Sequence, residues 1–129
     1  MRKGLVTMVA ISQLLQLEQD AIALLLHGEG VPRELVAQTS RVESVVRDET
    51  PAGVYVDFVL TTGAIPLEGR RDFHIADLSF VTGDLKELEF ILYVRRGFIA
   101  CFEVYSVFDV LPSYESVFGS FSGVPTVYE

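Results

Sequence analysis

The sequence predicts an α+β domain: an N-terminal helix and a short helix, followed by an antiparallel sheet of about five strands built from hairpins. Apolar residues recur at helical spacing only in the first third of the chain, whereas the remainder alternates with the period of two typical of strands. The connections between the later runs are too short for the helical crossovers of a parallel sheet. At 129 residues the chain has the usual size of one domain, so we expect a single domain over residues 1–129.

The leucine-rich start predicts a helix over about residues 8–27. Ser12 is an alternative N-cap, in which case a short strand precedes the helix. The pair His27-Gly28 marks the end of the helix. Pro32 suits a first helical turn, so "PRELVAQ" is predicted to form the second helix.

A hairpin is predicted around Thr50-Pro51-Ala52-Gly53, because Pro and Gly suit the two halves of a turn. The run before the turn and the run after it, Val54 to Thr61, both alternate with period two. Arg47, Asp48 and Glu49 lie next to the turn, so we expect these charges to be solvated.

Three further strands are predicted at Phe73–Phe80, Phe90–Val94 and Phe98–Val107, the last two joined through Arg95-Arg96-Gly97. The tail, residues 113–129, is expected to pack over the sheet or at a dimer interface. In the strand that starts at Phe98, one face is predicted to carry Ala100, Phe102 and Val104, and the other Cys101, Glu103 and Tyr105.

Charge and composition disfavour several functions. The net charge of −8 would repel nucleic acid and anionic membranes, and no apolar run approaches the roughly 20 residues of a membrane span. After Gly97 the chain has no Lys or Arg but has Glu103, Asp109, Glu115 and Glu129. A basic protein partner could bind this acidic region. The alternative is that the net charge only keeps the protein soluble. Half of the residues are hydrophobic, which makes a homodimer plausible.

The single cysteine, Cys101, excludes an internal disulfide and a zinc site of several thiolates, and it suits a reducing cytoplasm. Its place in the middle of a strand favours a small core residue over a nucleophile. His74 with Asp72 and Asp77 matches no metal-binding pattern, since Asp77 should lie on the opposite face of the strand. We therefore expect no catalytic constellation, no metal and no cofactor.

Asp57, Glu103 and Tyr105 are the candidate ligand-binding residues. Glu103 lies in the most apolar strand, and with Asp57 it could form a carboxylate pair of raised pKa suited to acid–base chemistry. The alternative is that this face of the sheet meets solvent. Tyrosines could line a pocket there or simply fill the face. Two basic pairs in turns, Arg70-Arg71 and Arg95-Arg96, could together grip an anion, although exposed charge is ordinary in loops.

The order of helix, turn and strand residues in the chain resembles that of a group of small bacterial proteins of unknown function. The matching residues are Leu35-Val36-Ala37-Gln38 in the short helix, Arg47, Thr50 and Gly53 at the first hairpin, and Gly97 and Glu103 in the closing strand. The resemblance covers about Leu24 to Pro112. It implies an α+β fold and a bacterial, cytoplasmic setting, and it brings no activity.

Two functional hypotheses follow. The first is a non-enzymatic protein-interaction module, for example an acidic immunity or inhibitor protein; this version is an analogy of size and charge. The alternative is a small-molecule binding domain or minor hydrolase with a pocket on the sheet face. Homodimerisation is compatible with both.

Overall fold

The computed structural model describes residues 5–107, 110–114 and 118–129, with side chains from residue 9 onward. Its class is α+β, as predicted. The strands are β1 (Leu5–Val9), β2 (Val42–Glu49), β3 (Gly53–Leu60), β4 (Phe73–Thr82), β5 (Glu87–Arg95), β6 (Phe98–Ser106), β7 (Gly119–Ser122) and β8 (Thr126–Tyr128). The helices are α1 (Gln16–Leu26) and α2 (Glu34–Thr39), and a 3₁₀ turn (Ile11–Gln13) precedes α1.

All described strands join one antiparallel sheet, in the order β1-β2-β3-β6-β5-β4, and β7 and β8 share the last place beside β4. The prediction of about five strands was therefore too low, since the sheet has seven places. The missed strands are β1, whose apolar run also fits a helix, and the two tail strands. These have only four and three residues, too few to show a period of two.

The N-terminal helix is shorter than predicted, because the chain is a strand up to Val9 and α1 begins only at Gln16. The alternative with a short strand before the helix is the correct one. Ser12 is not the N-cap, however. The N-cap is Leu15, whose backbone N–H donates a 3.0 Å hydrogen bond to Oε1 of Glu18, the third residue of the helix.

Both predicted hairpins are confirmed. In the first, Glu49 pairs with Val54, and the Thr50 N–H donates to the Gly53 carbonyl at 2.8 Å. In the second, β5 turns into β6 through Arg96 (φ 52°) and Gly97 (φ 81°), the two left-handed residues of a tight hairpin loop.

The helices cover one side of the sheet, the inner face, where they share a single hydrophobic core with the strands. Phe90 and Phe102 stack at its centre with ring centroids 6.0 Å apart. Ala100 departs from the predicted alternation, because the register of β6 shifts between Ile99 and Cys101. This bulge lets Ile99 and Phe102 both point into the core although they are three residues apart.

The two tail strands extend the sheet at its edge, whereas Tyr114, earlier in the tail, is buried in the hydrophobic core. Phe121 of β7 contacts the core residues Phe80 and Phe90, with ring centroids 5.1 and 5.9 Å away. The predicted dimer interface of the tail stays a prediction. None of the described helices has the length and apolar character needed to cross a membrane.

Candidate functional site

The candidate site is the outer face of the sheet, the side opposite α1 and α2. Alternation along each strand sends one residue in two to this side, and the strand order brings together residues from β3, β6, β5, β4 and β8. Its members include Tyr55, Asp57, Cys101, Glu103, Tyr105, Glu87, Glu89, Ile91, Tyr93, His74, Asp77 and Tyr128. Carboxylates and tyrosines dominate this set.

A tyrosine–carboxylate pair lies at the centre of the outer face. The Tyr93 hydroxyl donates a 2.8 Å hydrogen bond to Glu103 Oε1. Burial raises the pKa of Tyr93, and the neighbouring Glu103 raises it further. Tyr93 therefore stays a neutral donor, and Glu103 is oriented on the neighbouring strand by this contact.

A second group gathers at the β8 edge. His74 stacks on Tyr128 with ring centroids 5.2 Å apart, and the Tyr128 hydroxyl donates a short hydrogen bond to Asp77. We predicted His74 and Asp77 on opposite faces, which is wrong. A bulge between Ile75 and Leu78, with Asp77 at φ 68°, adds a residue to β4 and returns Asp77 to the side of Tyr128.

Several carboxylates crowd the start of β5. Burial raises the pKa of Glu89, and the charges of Glu87 and Asp77 raise it further. Burial likewise raises the pKa of Tyr105, helped by Glu89 and Glu103. The negative charges here are close enough to repel one another, so a cation bound on this face would relieve that repulsion.

The three predicted site residues, Asp57, Glu103 and Tyr105, all lie on the outer face. Asp57 is paired with Cys101, and Glu103 is paired with Tyr55, so the two carboxylates are diagonal neighbours on adjacent strands. Glu103 is hydrogen-bonded to Tyr93. The arrangement is suited to accepting hydrogen bonds and ion pairs from outside the chain.

The acidic surface differs from the one predicted from the last third of the chain. Asp109 and Glu115 lie outside the described residues, and Glu129 forms an ion pair with Arg71. Of the four carboxylates, Glu103 lies on the outer face, which also draws carboxylates from β3, β4 and β5. Sequence reasoning missed Asp77, Glu87 and Glu89, although Glu87 and Glu89 alternate with apolar residues in "KELEF" and this pattern could have shown it.

Arg47 and Asp48 are not solvated, contrary to our prediction, although Glu49 is exposed. Arg47 points to the inner face and donates a 2.6 Å hydrogen bond to the fully buried Glu18. Tyr114 donates to the second oxygen of Glu18, also at 2.6 Å. Burial alone would lower the pKa of Arg47, but the hydrogen bond and charge of Glu18 outweigh it and raise that pKa above its usual value.

Asp48 lies on the opposite side of β2 from Arg47, paired with Tyr55. It is 6% exposed, and its Oδ1 is buried without a hydrogen-bond partner among the described residues. The sequence signal for the Arg47 cluster was Glu18, which falls on the apolar stripe of α1 with Ala21, Ile22 and Leu25. This cluster is a structural tie between α1, β2 and the segment that carries Tyr114.

Cys101 is 7% exposed and belongs to the outer face. Tyr93 pairs with Cys101 on one side and with His74 on the other, so a tyrosine separates the thiol from the imidazole. His27 lies at the end of α1, with its ring nitrogen Nδ1 2.8 Å from the Ala23 carbonyl oxygen. Within residues 5–107, 110–114 and 118–129, no three His, Cys, Asp or Glu side chains are placed to hold a metal ion.

Four clefts with volumes from about 330 to about 540 Å³ lie away from Asp57, Glu103 and Tyr105. One lies between α1 and α2, one beside the loop after α1, one next to Arg47 and Tyr114, and one beside Gln38 and the loop after β3. A small-molecule pocket over the predicted residues therefore gains no support from these clefts.

No protein-family model, curated protein or solved structure matches the chain significantly. An α+β fold does not by itself imply an activity. The chemistry of the outer face and of the loops is therefore what can indicate a function.

Proposed function

We propose that this chain is a non-enzymatic protein-interaction module whose outer face binds a basic protein. The observation that supports this most is the gathering of carboxylates around Glu89, whose pKa is raised by burial and then by the charges of Glu87 and Asp77. Ion pairs with a cationic partner would remove part of this repulsion. The chain as a whole, at a net charge of −8, would also attract such a partner from a distance.

The tyrosines supply the second ingredient of an interface. Tyr55, Tyr93 and Tyr105 are half-buried and Tyr128 is exposed. Tyrosine offers a large rigid surface with a polar tip, and it is enriched among the residues that dominate binding energies. A partner that places Arg or Lys between these rings would make both ion pairs and cation–π contacts.

The form of the face favours a protein over a small ligand. A sheet side presents a broad surface, whereas small-molecule sites are concave and enclose most of the ligand. A concrete version of the proposal is an inhibitor or immunity protein directed against a basic toxin or nuclease, acting in the bacterial cytoplasm. This version comes from charge and size.

The test compares two variants of equal net charge. Glu89→Gln/Glu103→Gln removes two charges from the outer face, and Glu29→Gln/Glu43→Gln removes two exposed charges elsewhere. Proteins captured on each variant at low ionic strength are identified, and each candidate is purified and its Kd measured.

A true partner binds the wild type and the control variant with similar Kd. It binds the outer-face variant at least roughly tenfold more weakly, because charge-assisted contacts are lost. Its association rate falls between about 0.01 M and 0.15 M salt, because screening shortens the range of the attraction. Equal losses of affinity in both variants would show that binding depends only on net charge, and this would overturn the proposal.

A further inference from the structure

The structure gathers four of the ten cationic residues of an acidic chain at one end of the sheet. These are Arg70 and Arg71, in the loop before β4, and Arg95 and Arg96, in the turn between β5 and β6. We call this group the basic end. The two pairs are 24 residues apart in the sequence, so only the fold brings them together.

The two loops are joined by backbone hydrogen bonds. The Gly97 N–H donates to the Arg71 carbonyl at 2.9 Å, and the Leu67 N–H donates to the Gly97 carbonyl, also at 2.9 Å. Asp72 accepts a 2.6 Å hydrogen bond from the Arg96 N–H. The four arginines therefore project from one rigid platform.

Two of the guanidinium groups are held by aromatic rings. Arg71 lies 4.9 Å from the centroid of Phe73, and Arg95 lies 5.1 Å from the centroid of Tyr93. Arg95 also donates to the Val94 carbonyl at 3.0 Å. Rigid guanidinium groups lose little entropy when they bind a ligand.

The other two arginines have strained backbone conformations and exposed side chains. Arg70 (φ 47°) and Arg96 (φ 52°) adopt the left-handed conformation, which Gly or Asn adopts with less strain. Both are exposed, and their guanidinium groups make no hydrogen bond or ion pair with any residue of the described ranges. Strained residues whose side chains make no polar contact with the described residues indicate a role in binding.

The basic end already accepts oxyanions. Glu129 forms an ion pair with Arg71, and Asp72 caps the Arg96 backbone. The loop before β4 also carries the exposed Glu68, so the four arginines and the three carboxylates leave one positive charge uncompensated. A doubly charged phosphate group can displace the carboxylate of Glu129, because guanidinium groups bind phosphate oxygens in a fork. Without Glu129 the excess is two positive charges, which matches that phosphate group.

We propose that the basic end is a binding site for a phosphate group. Arg70 and Arg96 contact its oxygens, and Arg71 exchanges Glu129 for it. This site adjoins the basic-protein surface proposed above at Tyr93, over whose ring Arg95 lies, but either function can exist without the other.

The test uses the full chain and two probes at physiological salt: pyrophosphate and a phosphoserine peptide with uncharged flanks. Binding is followed by the NMR shifts of the arginine Nε–Hε groups. The Arg70→Asn/Arg96→Asn variant should fold well, since Asn suits left-handed turn positions. Arg33→Asn/Lys86→Asn removes two exposed cations elsewhere and is its control.

We expect at least one probe to shift the four arginine signals of the basic end, and the Arg70→Asn/Arg96→Asn variant to weaken its Kd roughly tenfold or more. The control variant should change the Kd less than twofold. Glu129→Gln should tighten binding two- to fivefold, because the competing carboxylate is gone, whereas Glu29→Gln should not.

The two probes distinguish the sources of the phosphate group. Tighter binding of pyrophosphate indicates a small phosphorylated compound, and tighter binding of the peptide indicates a phosphorylated protein segment. Absence of binding by both probes, or an equal loss in the control variant, would overturn the proposal.

Discussion

Arg47 on β2 donates a 2.6 Å hydrogen bond to Glu18 at the start of α1, and the Glu18 side chain is completely buried. Tyr114 completes the cluster from the segment after β6. The carboxylate thus has three donors, since the Leu15 N–H also bonds to it. One buried ion pair therefore connects the first helix, the first hairpin and a late segment of the chain.

We predict that Arg47→Met lowers the free energy of unfolding by about 3–5 kcal/mol, because it leaves the buried carboxylate of Glu18 without its cation. The double variant Glu18→Gln/Arg47→Met should recover part of this loss. Glutamine keeps an oxygen that can accept from the Leu15 N–H, its amide N–H can donate to the Tyr114 hydroxyl, and it has no charge to compensate. Urea denaturation of the three proteins measures both effects.

The matched control is Arg33→Met, which removes an exposed arginine at the start of α2 and should change stability by less than about 0.5 kcal/mol. If the double variant were less stable than Arg47→Met, the ion pair would not be the reason for the loss.

Gln38 of α2 is the hub of a second buried contact, which connects the helix to the turn between β5 and β6. Its Nε2 donates to the carbonyls of Gly97 at 2.8 Å and Ile65 at 3.0 Å, and its Oε1 accepts from the Ile99 N–H at 2.8 Å. We predict that Gln38→Leu costs about 2–4 kcal/mol, because it leaves buried backbone groups unpaired. Thermal or chemical unfolding measures this cost.

An exposed glutamine provides the comparison for Gln38. Gln16→Leu alters only a surface contact with Asp20 and should stay within about 0.5 kcal/mol of the wild type. Equal effects of the two substitutions would show that the amide network of Gln38 contributes no stability.

The elements that could be predicted are those with a strong local signal. The two hairpins have alternating strands and a glycine in each turn, at Gly53 and Gly97, so neighbouring residues alone determine them. The tail strands have no such signal, because they are short and become strands by pairing with β4. The number of strands was underestimated for this reason.

The sequence could predict which residues of a single strand share a face, but not which strands come together to form the candidate site. Alternation in β6 placed Glu103 and Tyr105 on one face, and the same argument placed Asp57 on one face of β3. That Glu89 and Asp77 join them depends on the order of the strands and on a bulge in β4. Both are properties of long-range pairing, which a local pattern does not contain.

The burial of Arg47 was unpredictable for a related physical reason. A charge beside a hairpin turn is usually solvated, whereas Arg47 is held at the inner face by Glu18 at the start of α1 and lies near the Tyr114 hydroxyl. The desolvation of Arg47 is offset by a carboxylate 29 residues earlier in the chain.

Substitutions at Gly97 and Gly30 distinguish the cost of backbone strain from the cost of a steric contact. Both have φ of 81°, but a Cβ at Gly97 would lie 2.8 Å from the Leu67 backbone nitrogen, whereas nothing lies within 4 Å at Gly30. We predict that Gly30→Ala costs about 1–2 kcal/mol from the left-handed conformation alone. Gly97→Ala should cost clearly more, because the loop before β4 must also move.

Chemical denaturation of the two glycine variants gives the comparison. In Gly97→Ala the amide signals of Leu67 and Arg71 should also shift, since the hydrogen bonds between the two loops are disturbed. If the two variants lost the same free energy of unfolding and no such shifts appeared, the close contact at Gly97 would be relieved without a measurable cost.

The carboxylate crowding on the outer face should make stability depend on pH in a defined direction. Burial and the charges of Glu87 and Asp77 raise the pKa of Glu89 above the ordinary 4.5. At neutral pH the charged Glu89 therefore opposes folding. As the pH falls through the folded-state pKa towards 4.5, the folded protein takes up the proton first and this penalty disappears.

We predict that Glu89→Gln is more stable than the wild type at neutral pH, by less than about 1 kcal/mol because the group is partly solvated. The advantage should shrink as the pH approaches 4.5. Urea denaturation across this range measures it, and carboxyl ¹³C NMR of the folded wild type should give Glu89 a midpoint above 4.5.

A double-mutant cycle with Glu87→Gln identifies the cause. Removing the neighbouring charge should lower the NMR midpoint of Glu89 and reduce the gain from Glu89→Gln, because part of the repulsion is already gone. An unchanged midpoint would show that the two carboxylates do not interact. The crowding on which the proposed basic-protein surface depends would then be absent from this part of the outer face.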